Sequence, residues 1–210
     1  MGNKTSPTLI LPLQRRGRRK KEREEKKRGG GEEDRSHLTI LNFIKLFNFN
    51  MKINKESLPF YVVCDNLRSL ENIGSIFRTS DALGVNKIYL GGICGHPPNQ
   101  KISKTALGAE SWIMWEYHWQ VWRIIERLKN QGFLIVALEQ TKKSLPYNKF
   151  KPKFPLALVV GNEIKGVSPS VIRRADKIIY LPMFGQKESL NVAVAFGIAG
   201  YWINQWRLIS

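Results

Sequence analysis

From Phe60 onward, short apolar runs alternate with longer stretches whose apolar residues recur every three or four positions. Residues 60–64, Phe-Tyr-Val-Val-Cys, are aromatic and β-branched without polar alternation, the pattern of a strand covered on both faces. Ile73, Ile76, Phe77, Ser80 and Leu83 then follow helical spacing. This predicts a helix over about 72–83, ended by Gly84 and capped by Asn72. Residues 87–90 read as a second strand, 102–107 as a short helix or turn, and 112–115 as a third strand. An amphipathic helix over 119–130, closed by Gly132, precedes strands over 133–138 and 156–160. Pro169 opens a short helix towards Arg174, 177–181 form a sixth strand, and an apolar helix runs from Asn191 to about Trp206. Strands alternating with helices predict an α/β domain with a parallel sheet and helices on both faces.

Three strand ends carry polar residues or glycines inside otherwise apolar sequence, and in an open α/β sheet such junctions build the binding site. Asn72-Ile73-Gly74-Ser75-Ile76-Phe77-Arg78 places Gly74 for close approach and Arg78 four residues later, roughly on one side of the helix with Asn72. Arginine grips phosphate through a planar fork, although a single surface arginine is more often simply solvated. Gly161 directly follows Leu158-Val159-Val160, and Gly166 permits a second sharp turn. The loop between them reads either as an ordinary turn or as a cradle for a small ligand. Glu163 in this loop reads as a helix-capping or ion-paired carboxylate, or as the partner that orients a catalytic arginine. Leu181-Pro182-Met183 leaves a strand where Pro182 blocks further pairing, and Ser189 and Asn191 flank the next helix as caps or as groups facing the same crevice.

Composition adds a partner. The chain has 210 residues, 42% of them hydrophobic, and a net charge of +17. Residues 1–50 hold 13 Lys/Arg against 6 Asp/Glu, and the remaining 21 against 11 leave residues 51–210 at +10. Such a surface suits a polyanion, because Lys and Arg release counterions from phosphate backbones. Residues 1–50 form a basic extension, with a low-complexity run from Arg15 to Arg35 that reads as disordered. It is compatible with an RNA-touching arm, a spacer, or upstream sequence with Met51 as the working start. Residues 51–210 form the folded domain. Cys64 and Cys94 match no metal spacing and read as reduced core thiols, which fits a cytoplasmic setting. The three histidines are scattered, so no metal site is expected. No apolar run is long enough to span a membrane.

Together the motifs Asn72-x-Gly74-x-x-x-Arg78, Gly161-x-Glu163-x-x-Gly166, and Leu181-Pro182-Met183 leading to Ser189-Leu190-Asn191 resemble those of the SpoU/TrmH branch of the SPOUT RNA methyltransferases. Lys104-Thr105-Ala106-Leu107-Gly108-Ala109-Glu110 is similar to the segment that branch carries between its first two motifs. The resemblance covers about 58–206. It implies an α/β sheet with a C-terminal deep trefoil knot, S-adenosylmethionine as cofactor, a homodimer that completes each site across its interface, and methyl transfer to a ribose 2′-hydroxyl of tRNA or rRNA. By position it implies that Leu138, Gly161, Leu181, Met183, Ser189 and Leu190 line the cofactor pocket. It also implies that Arg78 is the principal catalytic residue, arranged with Asn72, Glu163, Ser189 and Asn191. Trp202 and Trp206, four residues apart, are expected at the dimer interface.

Two other readings compete. One is a non-catalytic RNA-binding or assembly protein on the same fold. The other is an ordinary dinucleotide enzyme, which wants a glycine-rich loop after the first strand, where this chain has Asp65-Asn66-Leu67-Arg68-Ser69.

Overall fold

The structure, a computed structural model, describes residues 58–209, with side chains through Arg207. The basic extension over 1–50 lies outside the described residues. The sheet has seven strands: β1 Phe60–Asp65, β2 Lys87–Gly91, β3 Met114–His118, β4 Leu134–Leu138, β5 Leu145–Pro146, β6 Leu156–Gly161 and β7 Lys177–Tyr180. Their order is β3-β2-β1-β6-β4-β7-β5, and every pairing is parallel. The helices are α1 Leu70–Ala82, α2 Gln100–Ala106, α3 Val121–Asn130, α4 Pro169–Ile172 and α5 Val192–Ile209.

Because strand side chains alternate, each central strand feeds two cores. Val62, Cys64, Leu156, Leu158 and Val160 point to one face, where Ile73, Ile76 and Phe77 of α1, Ile102 of α2 and Phe196 and Ile203 of α5 cover them. Val63, Ile135, Ala137, Ala157 and Val159 point to the other, under Val121, Ile124 and Leu128 of α3 and Val171 of α4. The helices therefore cover both faces, as the unbroken apolar strands predict. Cys64 and Cys94 are free and buried, and burial pushes the Cys94 thiol up to about 11.

Four expectations shift. Ser69, not Asn72, caps α1: its hydroxyl accepts the Asn72 N–H at 3.1 Å, so the helix starts two residues early. The third strand starts at Met114 rather than Trp112, because Ala109–Ser111 form a 3-10 turn and the Trp112 indole donates to Asp81 at 3.0 Å. The following helix starts at Val121 rather than Trp119, which is 69% exposed. Strand β5, two residues ending in a proline, has no alternation to read and was not foreseen. Gly84 and Gly132 close their helices with φ of 61° and 83°, where a side chain would be strained.

Candidate active site

A parallel sheet ends all its strands on one edge. Here the ends of β4, β6 and β7 and the segment before α5 enclose a cleft of about 360 Å³. Leu138, Gly161, Leu181, Met183, Ser189 and Leu190 all line it, with Glu139, Glu163, Glu188 and Val192 among their neighbours. The glycine loop is held by its own hydrogen bonds. Asn162 and Gly166 exchange backbone hydrogen bonds at 3.0 and 2.8 Å, and the Asn162 side-chain oxygen accepts the N–H groups of Ile164 and Lys165. A Cβ on Gly161 would lie 2.2 Å from the Val167 nitrogen and 2.3 Å from the Gly166 carbonyl carbon, so the loop closes only over a glycine.

Asn162 Nδ2 donates to the Asn66 carbonyl at 2.7 Å, which ties this loop to the one after β1. Buried Asp65 completes the junction: it accepts the Ser168 N–H at 2.7 Å and the Asn66 side-chain amide at 2.7 Å. Asn66 itself takes φ 60°, which asparagine tolerates better than most residues, so the loop turns without a glycine.

Glu163 does not pair with Arg78. Its carboxylate accepts the Arg68 N–H at 3.1 Å, the Ser69 N–H at 3.0 Å and the Asn72 side-chain amide at 3.0 Å. It thus sits at the positive end of α1, where negative charge is favoured. Burial opposes its ionisation, yet these hydrogen bonds outweigh burial and hold its pKa below the ordinary glutamate value. Asn72 Oδ1 in turn accepts from Asn191 Nδ2 at 2.9 Å, and Asn191 Oδ1 caps α5 by accepting the Ala193 N–H at 2.9 Å. Glu163, Asn72 and Asn191 form one hydrogen-bonded chain.

That chain is a wall. On its far side lies a second cavity of about 780 Å³ between α1 and α5, lined by Asn72, Ser75, Thr79, Asn191, Val194, Ile198, Tyr201 and Trp202 among others. Val194, Ile198 and Tyr201 fall on one helix face and are 51%, 39% and 55% exposed. Trp202, expected at a dimer interface, lines this groove and is half-buried: its indole donates to the Phe150 carbonyl at 2.9 Å and its ring meets Tyr147 and Trp206 edge-on.

Arg78 stands apart. It is exposed on α1, makes no hydrogen bond or ion pair with the described residues, and does not line the cleft of its own chain. Six residues past Asn72, it lies about 9 Å further along the helix and about 120° around it, so the two do not share a side. Gly74 makes room for α2 rather than for a ligand: a Cβ there would meet Thr105 Oγ1 at 2.0 Å and the Ile102 carbonyl at 2.4 Å. Sequence reading missed Asp65, Glu139 and Asn162. Each acts by binding the backbone of a distant segment, and only their position next to a strand end marks them. Among the described residues no group of three or more His, Cys, Asp or Glu is placed to hold a metal ion, and no helix is long and apolar enough to cross a membrane.

Comparison with known proteins agrees with this geometry. Residues 59–201 match the model of the SpoU rRNA Methylase family. The chain is 37% identical over 150 residues to a tRNA (guanosine(18)-2'-O)-methyltransferase of Aquifex aeolicus, across 71% of this chain and 70% of that one. The crystal structure of the A. aeolicus TrmH/SpoU tRNA modifying enzyme superposes with a TM-score of 0.65 at 32% identity, covering 82% of this chain and 83% of the other. An AdoMet-bound rRNA methyltransferase from Sinorhizobium meliloti gives 0.66 at 28% identity over 70% of this chain, which spans only 56% of that larger protein. A family match over most of the described domain, with all three motif segments meeting at one sheet edge, places the chain in the SpoU rRNA Methylase family.

Proposed function

We propose that the chain transfers a methyl group from S-adenosylmethionine to a ribose 2′-hydroxyl of tRNA or rRNA. One observation carries the reading beyond family membership. The glycine loop, the end of β4 and the 181–190 segment, far apart in sequence, close a single cleft lined by Glu163, which hydrogen bonds tie through Asn72 to Asn191. The donor set fits the cofactor. Leu138, Leu181, Met183 and Leu190 offer apolar walls, Gly161 leaves a cradle that a Cβ would fill, and three carboxylates face a cationic ligand. S-Adenosylmethionine, when bound, supplies an activated methyl on a sulfonium, so the protein has only to align and deprotonate the acceptor.

Arg78 is the catalytic residue in this reading. A guanidinium does not serve readily as a base. It grips the phosphate beside the target ribose and stabilises the developing alkoxide, with the hydroxyl proton lost late. Because Arg78 lies outside its own chain's cleft, it serves the cleft of a second copy. The apolar face Val194, Ile198 and Tyr201 is what that copy covers, which gives a homodimer. The C-terminal trefoil knot belongs to the same reading. Strand β7 lies on the far side of β4 from β6, so the chain after β6 must cross back over β4. The transferase domain occupies 51–210, the basic extension 1–50 precedes it, and the setting is the cytoplasm.

Isothermal titration with S-adenosylmethionine, run beside a tritiated-methyl assay on bulk tRNA and rRNA, tests this. Heat on titration, label in one RNA class, and loss of label with Arg78→Ala are expected. No heat and no label from the wild type sink the enzyme reading and favour an RNA-binding assembly protein on the same fold.

A further inference from the structure

The cleft has a charge of its own. Glu139, Glu163 and Glu188 line it, and among the described residues no Lys, Arg or His does, on a chain whose net charge is +17. Glu163 is engaged by three donors at the start of α1, and Glu188 sits on the exposed stretch before α5. Glu139 differs from both. It follows β4 directly, and its own N–H donates to the Ile179 carbonyl at 2.9 Å. Its carboxylate accepts the Gln140 N–H at 2.9 Å through one oxygen and the Val167 N–H at 2.7 Å through the other. Gly166 lies against it so closely that a Cβ there would meet Oε2 at 2.1 Å. The carboxylate is therefore fixed between two walls of the cleft. Both its bonds are to neutral N–H groups, it forms no ion pair with the described residues, and each oxygen keeps a further lone pair.

We propose that Glu139 makes the cleft selective for the positively charged methyl donor over the neutral thioether that remains after transfer. The inference rests on reading the cleft as the S-adenosylmethionine pocket. In the reaction the S–CH3 bond breaks, an O–CH3 bond forms and the hydroxyl proton passes to solvent water, so the ligand in the cleft loses its sulfonium charge. A fixed anion in a partly enclosed cleft attracts the donor and is indifferent to the product. Glu139 thereby favours exchange of spent ligand for fresh. It strengthens binding of the charged ground state and gives nothing extra to a transition state in which that charge is already dispersing, so it is not a catalytic residue.

The test is calorimetry on the full chain with three ligands: S-adenosylmethionine, S-adenosylhomocysteine, and an analogue carrying a protonated amine in place of the methylsulfonium. Glu139→Gln keeps the shape and removes the charge. It is expected to weaken both cationic ligands about fivefold, the scale of one screened unit charge several ångströms away, and the thioether less than about twofold. If all three ligands weaken by the same factor, Glu139 merely fastens two loops and the inference falls. Should Glu139→Gln fail to fold, the wild type decides: it must hold both cations more tightly than the thioether, and equal affinities overturn the proposal. Wild-type protein that binds none of the three overturns the pocket reading itself.

Discussion

The cleft and the α1–α5 groove share a wall but are built in opposite ways. The cleft is finished within one chain. Its loop closes on itself, Asp65, Asn162 and Glu163 are each satisfied by backbone or amide groups, and a glycine stands where a side chain would collide. The groove is larger, and it exposes Val194, Ile198 and Tyr201 to solvent, while Arg78 on α1 makes no hydrogen bond or ion pair with the described residues. Patches of exposed large apolar groups on a soluble domain usually mark a partner surface. The difference separates two tasks. In the proposed reading, holding a small ligand needs only what one chain already orders, whereas presenting Arg78 to that ligand needs a second surface.

The largest expected effect tests whether the cleft is rigid. Gly161→Ala forces a methyl to within 2.5 Å of three backbone atoms of Gly166 and Val167, none of which is a flexible side-chain end. The loop must break or the strand must shift. Destabilisation of about 3 kcal/mol is expected in thermal or urea unfolding, with no heat on titration with S-adenosylmethionine. A variant that melts and binds like the wild type would show that the cradle yields. Next in size is Arg78→Lys, which keeps the charge and loses the planar fork. Turnover should fall about 100-fold, or about 2.7 kcal/mol in barrier, while cofactor affinity stays within about twofold. Equal loss of affinity would place Arg78 in the cleft after all, and wild-type turnover would remove it from the mechanism.

The groove is tested by Ile198→Asp. A carboxylate in the middle of the Val194–Ile198–Tyr201 face should weaken self-association about 30-fold, or about 2 kcal/mol, in sedimentation at low concentration. Methyl transfer should fall in step with the dimer while cofactor titration stays normal. If association is unchanged, another face holds the copies together.

What could be read in advance follows from the range of the forces involved. The apolar strands and the helix-closing glycines Gly84 and Gly132 declare themselves locally, because burial on both faces and left-handed backbone each leave a mark on the sequence itself. The six residues that now line one cleft were named from motif position alone, since nothing in their spacing says that Leu138 and Leu190 meet. Glu139, Asp65 and Asn162 were missed because each bonds to a backbone group brought in from a distant segment, and backbone carries no residue identity. Arg78 was placed on the wrong side of α1 for a simpler reason: six residues of helix turn through about 600°, which carries it about 120° from Asn72. The α1 cap was misassigned because Ser69 and Asn72 are both good caps, and only the fold decides which one adopts extended backbone.

The smallest effect sits in the wall between the two cavities. Glu163 has a folded-state pKa below its ordinary value, against burial and because of the Arg68, Ser69 and Asn72 donors. In the unfolded chain a glutamate titrates near about 4.3. Since folding lowers the value, the unfolded chain binds the proton more readily, and stability rises with pH through this window. The contribution is complete above about pH 4.3 and is lost as the pH falls through the folded value beneath it. The carboxylate is largely exposed, so water screens it and the whole effect is at most about 1 kcal/mol. Glu163→Gln should therefore melt slightly below the wild type at neutral pH, and the gap should close as the buffer is taken from about pH 6 to about pH 3. Two curves that stay parallel across that range would mean the carboxylate charge does not hold the wall. In that case shape alone, through Asn72 and Asn191, divides cleft from groove.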